Sequence, residues 1–128
     1  MKEKIIEVLM VEPGKEPSVT TLNNSLDSLQ EAVSIGADYR GLIEIIPIED
    51  DALILCNEEA KLIGLEPNRR LWSDVLCGVF YVVGQDDEGN LCSLSAKSME
   101  HYKEFFAVPE LISREEAEDA LMMGFFIM

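Results

Sequence analysis

Cysteine and histidine, the usual ligands of a structural zinc site, are scarce in this 128-residue chain. It contains three cysteines with no C-x-x-C pair, and its one histidine is His101. A structural zinc site needs a tight cluster of such donors, so we expect no metal ion and no cofactor. Cys56, Cys77 and Cys92 lie far apart in the sequence. We expect them to be buried apolar groups in a reducing compartment.

Long hydrophobic runs are also missing. No apolar run approaches the roughly 20 residues that a membrane-spanning helix needs. The opening MKEKIIEVLM lacks the small-residue cleavage site of a signal peptide. Apolar residues nevertheless make up 48% of the chain, which is enough to build a core. These features predict one soluble, cytoplasmic domain over residues 1–128.

Positive charge is scarce relative to negative charge. Ten lysines and arginines face 25 acids, which gives a formal net charge of −15 at pH 7. Phosphates would be repelled, so direct nucleic-acid binding and docking on an anionic membrane are both disfavoured. A basic protein or a divalent cation would be attracted. If the chain has a macromolecular partner, we expect a basic protein.

The first half of the chain shows a hairpin, a helix and two strands. Apolar residues at nearly every position of Ile5–Val11 predict a strand buried on both faces. Residues 12–15 form a proline–glycine turn to a second short strand. A helix capped by Asn24 or Ser25 should follow and end at a glycine. Next come a strand at 42–48, which Pro47 should end, and a strand at 52–56.

The second half repeats this alternation of strands and helices. Residues 75–83 are β-branched and aromatic, which predicts a strand, with a bulge or close approach at Gly78. The loop 86–90 leads to a return strand. Ser95 should cap a helix, and the S-R-E-E motif from Ser113 is a capping box that begins a last short helix. The pattern predicts an α+β fold, a mostly antiparallel sheet of hairpins with two or three short helices packed against it.

The stretch CNEEAKLIGLEPNRRL, residues 56–71, combines a cysteine, paired carboxylates and two consecutive arginines. Residues 57–60 read either as a hairpin loop or as a single helical turn capped by Asn57 and closed by Gly64. The paired acids should point into water. Residues 66–69 read as a further turn, in which Asn68 bonds to its own backbone.

Asn68, Arg69 and Arg70 are the candidate recognition residues. Arginines can clamp a phosphate or carboxylate with two parallel hydrogen bonds, and an asparagine adds a donor. The alternative, which we favour, is that both arginines pair with neighbouring surface acids. Catalysis by Cys92 with His101 has no further support, because the chain has neither a nucleophile elbow nor a glycine-rich phosphate loop. We therefore assign no catalytic residue.

The C-terminal tail LMMGFFIM, residues 121–128, is almost entirely apolar. A free tail of this kind would favour aggregation. We expect it to be ordered, either as a strand that completes the protein's own sheet or packed across a two-fold axis in a homodimer.

Four segments resemble one bacterial family, catalogued as domain of unknown function 3846. They read VLMVEPGKEPSV, LILCNEEAKLIGLEPNRRL, GVFYVVG and SLSAKSMEHYKEFF. The resemblance covers about residues 5–106 and leaves 109–128 outside as a helix and apolar tail. Ala60 departs from the pattern, which usually has a turn glycine there. The resemblance implies a small cytoplasmic protein, often carried on phages, plasmids and integrative elements, and supplies no catalytic residues.

Three functional hypotheses follow. The first is a non-enzymatic protein-interaction module of mobile-element type. The second is a DNA-mimic inhibitor of a restriction or defence nuclease, since the chain is acidic. The third is a small enzyme or ligand-binding protein that uses Arg69 and Arg70 or Cys92.

Overall fold

The computed structural model describes the backbone of residues 4–127 and the side chains of residues 4–120. Eight strands lie within these residues: β1 Ile5–Val11, β2 Ser18–Asn23, β3 Ile43–Glu49, β4 Ala52–Asn57, β5 Pro67–Leu71, β6 Asp74–Cys77, β7 Phe80–Gln85 and β8 Leu91–Cys92. The helices there are α1 Leu26–Ala32, α2 Ala96–Phe105 and α3 Arg114–Ile127. No helix of the described chain is long and apolar enough to cross a membrane.

The main sheet has the strand order β2-β1-β7-β4-β3, and β8 pairs with one end of β7. Every neighbouring pair is antiparallel. The central strand β7 is buried along almost its whole length because it lies between β1 and β4. Strands β5 and β6 form a separate two-stranded sheet. The predicted α+β class is confirmed.

Each face of the main sheet carries its own core. Strand β4 is buried at all six positions, and its side chains alternate between the two faces. One face packs against Leu29 and Val33 of the α1 segment. The other packs against the β5–β6 hairpin and against Met99, Tyr102 and Phe106 of the α2 segment. The helix therefore stabilises the sheet through the face that its sequence predicts.

Turn and cap signals fix several boundaries. In the turn after β1, Gly14 has φ +74° and Lys15 N donates to Glu12 O at 3.2 Å. Ser25 caps α1 and Ser95 caps α2, each through its hydroxyl oxygen. These predictions are confirmed. Local hydrogen-bonding side chains and glycine are sufficient to specify these points.

Two strand predictions need correction. The predicted strand 75–83 is divided at Gly78, whose φ of +73° turns the chain from β6 in the small sheet to β7 in the large one. Pro47 lies inside β3 rather than ending it. A proline is tolerated there because β3 is an edge strand, where one side of the ladder has no neighbour.

Residues 57–64 form the helical turn, and the hairpin-loop alternative is wrong. Asn57 Oδ1 accepts from Glu59 N at 2.8 Å, and Ile63 N donates to Glu59 O at 3.0 Å. Gly64 ends the turn with φ +76°. The predicted turn at 66–69 is also wrong, because β5 begins at Pro67.

The predicted tail strand is wrong as well, since α3 continues to Ile127. Helix α3 packs its first half on β6 and on the turn before β5 through Ala117 and Ala120. The side-chain packing of residues 121–128, and with it the homodimer prediction, lies outside the described part of the chain. Met128 lies entirely outside it.

Replacing Gly78 with alanine should destabilise the fold more than replacing Gly14. Both have φ near +74°, which costs an L-residue about 1–2 kcal/mol. A Cβ at Gly78 would also lie 2.8 Å from Leu65 Cδ1, whereas nothing lies within 4 Å at Gly14. We expect a loss of about 1–2 kcal/mol for G14A and at least about 1 kcal/mol more for G78A, measured by urea unfolding. Equal losses would contradict the close packing at Gly78.

Candidate functional site

Asn68 and Arg69 lie side by side in β5, and the solvent reaches neither. Arg69 is the only charged residue that is buried among the side chains the structure describes. A buried charge is costly unless hydrogen bonds compensate it. The contacts of this pair therefore decide what it can do.

Asn68 joins two distant backbone segments. Its Nδ2 donates to Val11 O at 2.9 Å and to Gly78 O at 2.8 Å, and its Oδ1 accepts from Arg69 Nη1 at 2.7 Å. Val11 ends β1, and Gly78 lies between β6 and β7. The predicted role of Asn68 in a local turn is wrong, because its side chain satisfies groups 57 and 10 residues away.

Arg69 binds neutral carbonyl oxygens. Its Nε and Nη2 donate to Phe106 O at 3.2 and 3.0 Å, and Nη2 also donates to Lys15 O at 2.6 Å. Phe106 is the C-cap of α2, where helix carbonyls lack intrahelical partners and the helix dipole favours a cation. Burial lowers the pKa of Arg69, and the charge of Glu110 opposes that shift. An arginine nevertheless stays protonated in proteins.

Arg70 points the other way, to the surface. Its Nη1 donates to Glu110 at 2.7 Å, and Nε and Nη2 form a bidentate pair with Glu116 at 2.6 and 2.8 Å. The bond from Arg70 lowers the pKa of the Glu116 carboxyl. These pairs connect β5 to α3 and to the loop before it. The expectation that both arginines pair with acids holds for Arg70 and is wrong for Arg69.

The three candidate recognition residues are thus all engaged within the fold. Asn68 and Arg69 are inaccessible, while Arg70 keeps 46% of its side chain exposed. A recognition role for them stays a prediction. The hydrogen bonds and ion pairs of all three residues connect β5 to other parts of the molecule.

A cavity of about 220 Å³ lies beside the turn 57–64. Cys56 and Cys77 both line it, together with a Lys61–Asp74 ion pair. Burial, followed by the charge of Glu44, raises the pKa of Cys56 to about 12, and burial raises the pKa of Cys77. Both thiols are protonated at neutral pH and therefore poorly nucleophilic.

The other cysteine and the histidine lie elsewhere. Cys92 is on β8 and half-buried, and His101 is exposed on α2, where its ring meets Tyr102 edge-on at 4.7 Å. None of the three cysteines forms a disulfide. Among the described side chains, no group of three His, Cys, Asp or Glu residues could hold a metal ion.

A second concave surface, which we call the Trp72 groove, has a volume of about 240 Å³. Its lining comes from the end of β3, the tip of the β5–β6 hairpin and one side of α2: Ile48, Glu49, Leu71, Trp72, His101, Tyr102, Phe105 and Phe106. Trp72 is 71% exposed and has φ +55°. This left-handed backbone conformation costs a non-glycine residue about 1–2 kcal/mol.

Aromatic rings form one wall of the groove. Phe105 is 56% exposed and packs edge-on to Phe106, with ring centroids 4.9 Å apart. The His101 ring stacks with Phe105 at a centroid distance of 6.3 Å. The Tyr102 hydroxyl donates to Glu49 Oε1. Contacts between the rings therefore stabilise this wall, and the Glu49 carboxylate lies beside it.

The sequence predictions did not include this groove. Trp72 is the only tryptophan of the chain, and residues 101 and 105 are spaced for one helix face. The sequence thus shows each of these aromatic residues individually, but it does not show that they lie together. Only the folded hairpin brings the tryptophan to the helix.

The fold and these surfaces define an acidic α+β protein. Among the side chains that the structure describes, the one buried charge is that of Arg69, which connects β5 to the turn after β1 and to the end of α2. A family model described as Domain of unknown function (DUF3846) matches residues 6–107. The chain belongs to this family, as the resemblance over residues 5–106 predicts. The match spans β1 through α2 and thus includes Asn68, Arg69 and the Trp72 groove. No curated protein and no solved structure matches the chain.

Replacing Asn68 with alanine should destabilise the protein by about 2–4 kcal/mol. The change leaves Val11 O and Gly78 O without their donor, and each buried unsatisfied group costs about 1–3 kcal/mol. The measurement is the free energy of unfolding in urea. Asn23, an exposed residue of β2, supplies the control, and N23A should change stability by under about 0.5 kcal/mol. If N68A and N23A lower the free energy of unfolding by the same small amount, the hydrogen bonds of the Asn68 side chain are dispensable for stability.

Proposed function

We propose that this protein is a non-enzymatic interaction module that binds a basic protein, in the manner of an accessory protein carried by a phage or plasmid. The observation that carries the proposal is the distribution of charge between surface and interior. The resemblance described above supports the mobile-element setting.

The carboxylates that the structure describes all have access to solvent. None of the described aspartates and glutamates is buried, although the chain has 25 acids in total. They lie on strands, helices and loops alike, for example Glu7 on β1, Glu44 on β3 and Glu100 on α2. A partner that approaches from most directions meets negative potential, which speeds association with a positively charged surface.

The arginines do little to offset this charge. Arg69 is buried, and Arg70 is neutralised by two glutamates. Arg40 lies 3.7 Å from the carboxylates of Asp27 and Glu31. These three arginines are therefore used internally or in ion pairs, and the surplus of acids faces the solvent.

The enzyme hypothesis has weaker support. Cys56 and Cys77 line a cavity, but burial raises both pKa values and keeps the thiols protonated. The Lys61 ammonium beside them is paired with Asp74. A catalytic nucleophile needs an adjacent base or a lowered pKa, whereas these groups have the opposite arrangement.

The test is affinity capture on the immobilised protein at two salt concentrations. At about 0.1 M salt the Debye length is about 10 Å, and at about 1 M it is about 3 Å. We expect a small set of basic proteins from a host lysate to bind at the lower concentration and to be released at the higher one. Each should then bind as a purified protein with the same salt dependence.

The control is an unrelated folded protein of similar net charge on the same support. Proteins captured equally by both supports bind through net charge alone. If every protein retained by the chain is also retained by this control, or if retention does not respond to salt, the proposal is wrong.

A further inference from the structure

We propose that the Trp72 groove binds the guanidinium group of an arginine side chain on the partner. This inference rests on the proposed function, because it assigns the site at which a basic partner is recognised. The groove supplies three features that such a group requires: a fitting volume, aromatic faces and a carboxylate.

The size of the groove favours a side chain over a small-molecule ligand. Its volume of about 240 Å³ falls below the roughly 300–1,000 Å³ of typical small-molecule pockets. It is open between the end of β3, the hairpin tip and α2, so a side chain of an approaching protein can enter without a conformational change.

The aromatic faces suit a planar cation. A guanidinium stacks on aromatic rings, and tryptophan is the strongest partner in such cation–π contacts. Trp72 and Phe105 are 71% and 56% exposed, so each ring presents surface to a ligand. In contrast, the rings of Tyr102 and Phe106 are buried and support the wall.

The carboxylate of Glu49 complements the same cation. It is exposed at the end of β3, and the Tyr102 hydroxyl holds it through Oε1. No lysine or arginine is among the residues that line the groove. The nearby Asp51 adds negative charge, since it contributes to raising the pKa of Tyr102 after burial and Glu49. An arginine can therefore meet a carboxylate and a ring together.

The backbone at Trp72 gives an independent indication. Trp72 is the first of two residues that connect β5 to β6, as the pairing of Leu71 with Asp74 shows. Glycine or asparagine suits a positive φ at such a position, whereas tryptophan does not. A large side chain that is mostly exposed, on a backbone position that disfavours it, stabilises the fold little. Strain of this kind concentrates at functional sites.

The experiment measures binding of a fluorescein-labelled peptide of about twelve residues, alternating glycine and arginine, by anisotropy. The first comparison is between W72N and Y39N. Asparagine tolerates φ +55°, so W72N should fold, and it leaves the net charge unchanged. We expect W72N to weaken binding about fivefold, the scale of one cation–π contact. Tyr39 is an exposed aromatic that bonds Glu59 outside the groove, so Y39N should bind as the wild type does.

The second comparison is between E49Q and E44Q. Both residues are exposed on β3 and both changes remove one negative charge. We expect E49Q to weaken binding at least about threefold more than E44Q. A citrulline peptide of the same length, which lacks the positive charge, should bind at least about tenfold more weakly than the arginine peptide.

Trp72 offers a second readout, because it is the only tryptophan. Saturating arginine peptide should change the intrinsic tryptophan fluorescence of the wild type, and citrulline peptide at the same concentration should not. If W72N binds the peptide as tightly as the wild type, or the fluorescence does not respond, the groove assignment is wrong while the proposed function stands. If the wild type binds no arginine peptide at low salt, but captures basic proteins, the groove assignment alone also fails. A drop from dimer to monomer mass in W72N would show a second copy in the groove and overturn the inference.

Discussion

The buried guanidinium of Arg69 is the interaction on which this arrangement depends. Strand β5 belongs to the small sheet. Its Asn68 and Arg69 side chains donate hydrogen bonds to backbone carbonyls in other parts of the fold. These carbonyls come from the end of β1, the following turn and the C-cap of α2. The bonds to Val11 O and Phe106 O are buried, and a buried acceptor that loses its donor costs about 1–3 kcal/mol. One charged side chain thus satisfies several segments that are distant in the sequence.

The same contacts position the Trp72 groove. The Phe106 carbonyl accepts two bonds from Arg69, so the C-terminal end of α2 is held at β5. Trp72 follows directly after that strand, at the tip of its hairpin. Arg70 meanwhile fastens the other side of β5 to Glu116 of α3. The two consecutive arginines therefore work in opposite directions, one toward the interior and one toward the surface, and together they fix the hairpin that carries the groove.

Local patterns predicted much of the fold but little of the site. Serine caps, the glycine turn after β1 and the apolar face of α2 depend on neighbours within a few residues, and the structure confirms them. Arg69 could not be placed in this way, because its acceptors at Lys15 and Phe106 lie 54 and 37 residues away. An arginine pair in a chain with a large excess of acids suggests surface ion pairs, and only Arg70 follows that expectation. Alternation in the apolar tail predicts a strand as one of its two alternatives, whereas the helix that begins after the capping box continues to Ile127.

The most direct test of the central claim compares the free energies of unfolding of R69M and R70M. Both changes remove one positive charge and keep a long side chain, so they differ in the partners that are lost. R69M leaves the Phe106 and Lys15 carbonyls and Asn68 Oδ1 without a donor, and we expect a loss of at least about 3 kcal/mol. R70M removes ion pairs that are partly exposed and screened by solvent, so its loss of stability should be much smaller than that of R69M. Equal losses, or a more stable R69M protein, would contradict the account.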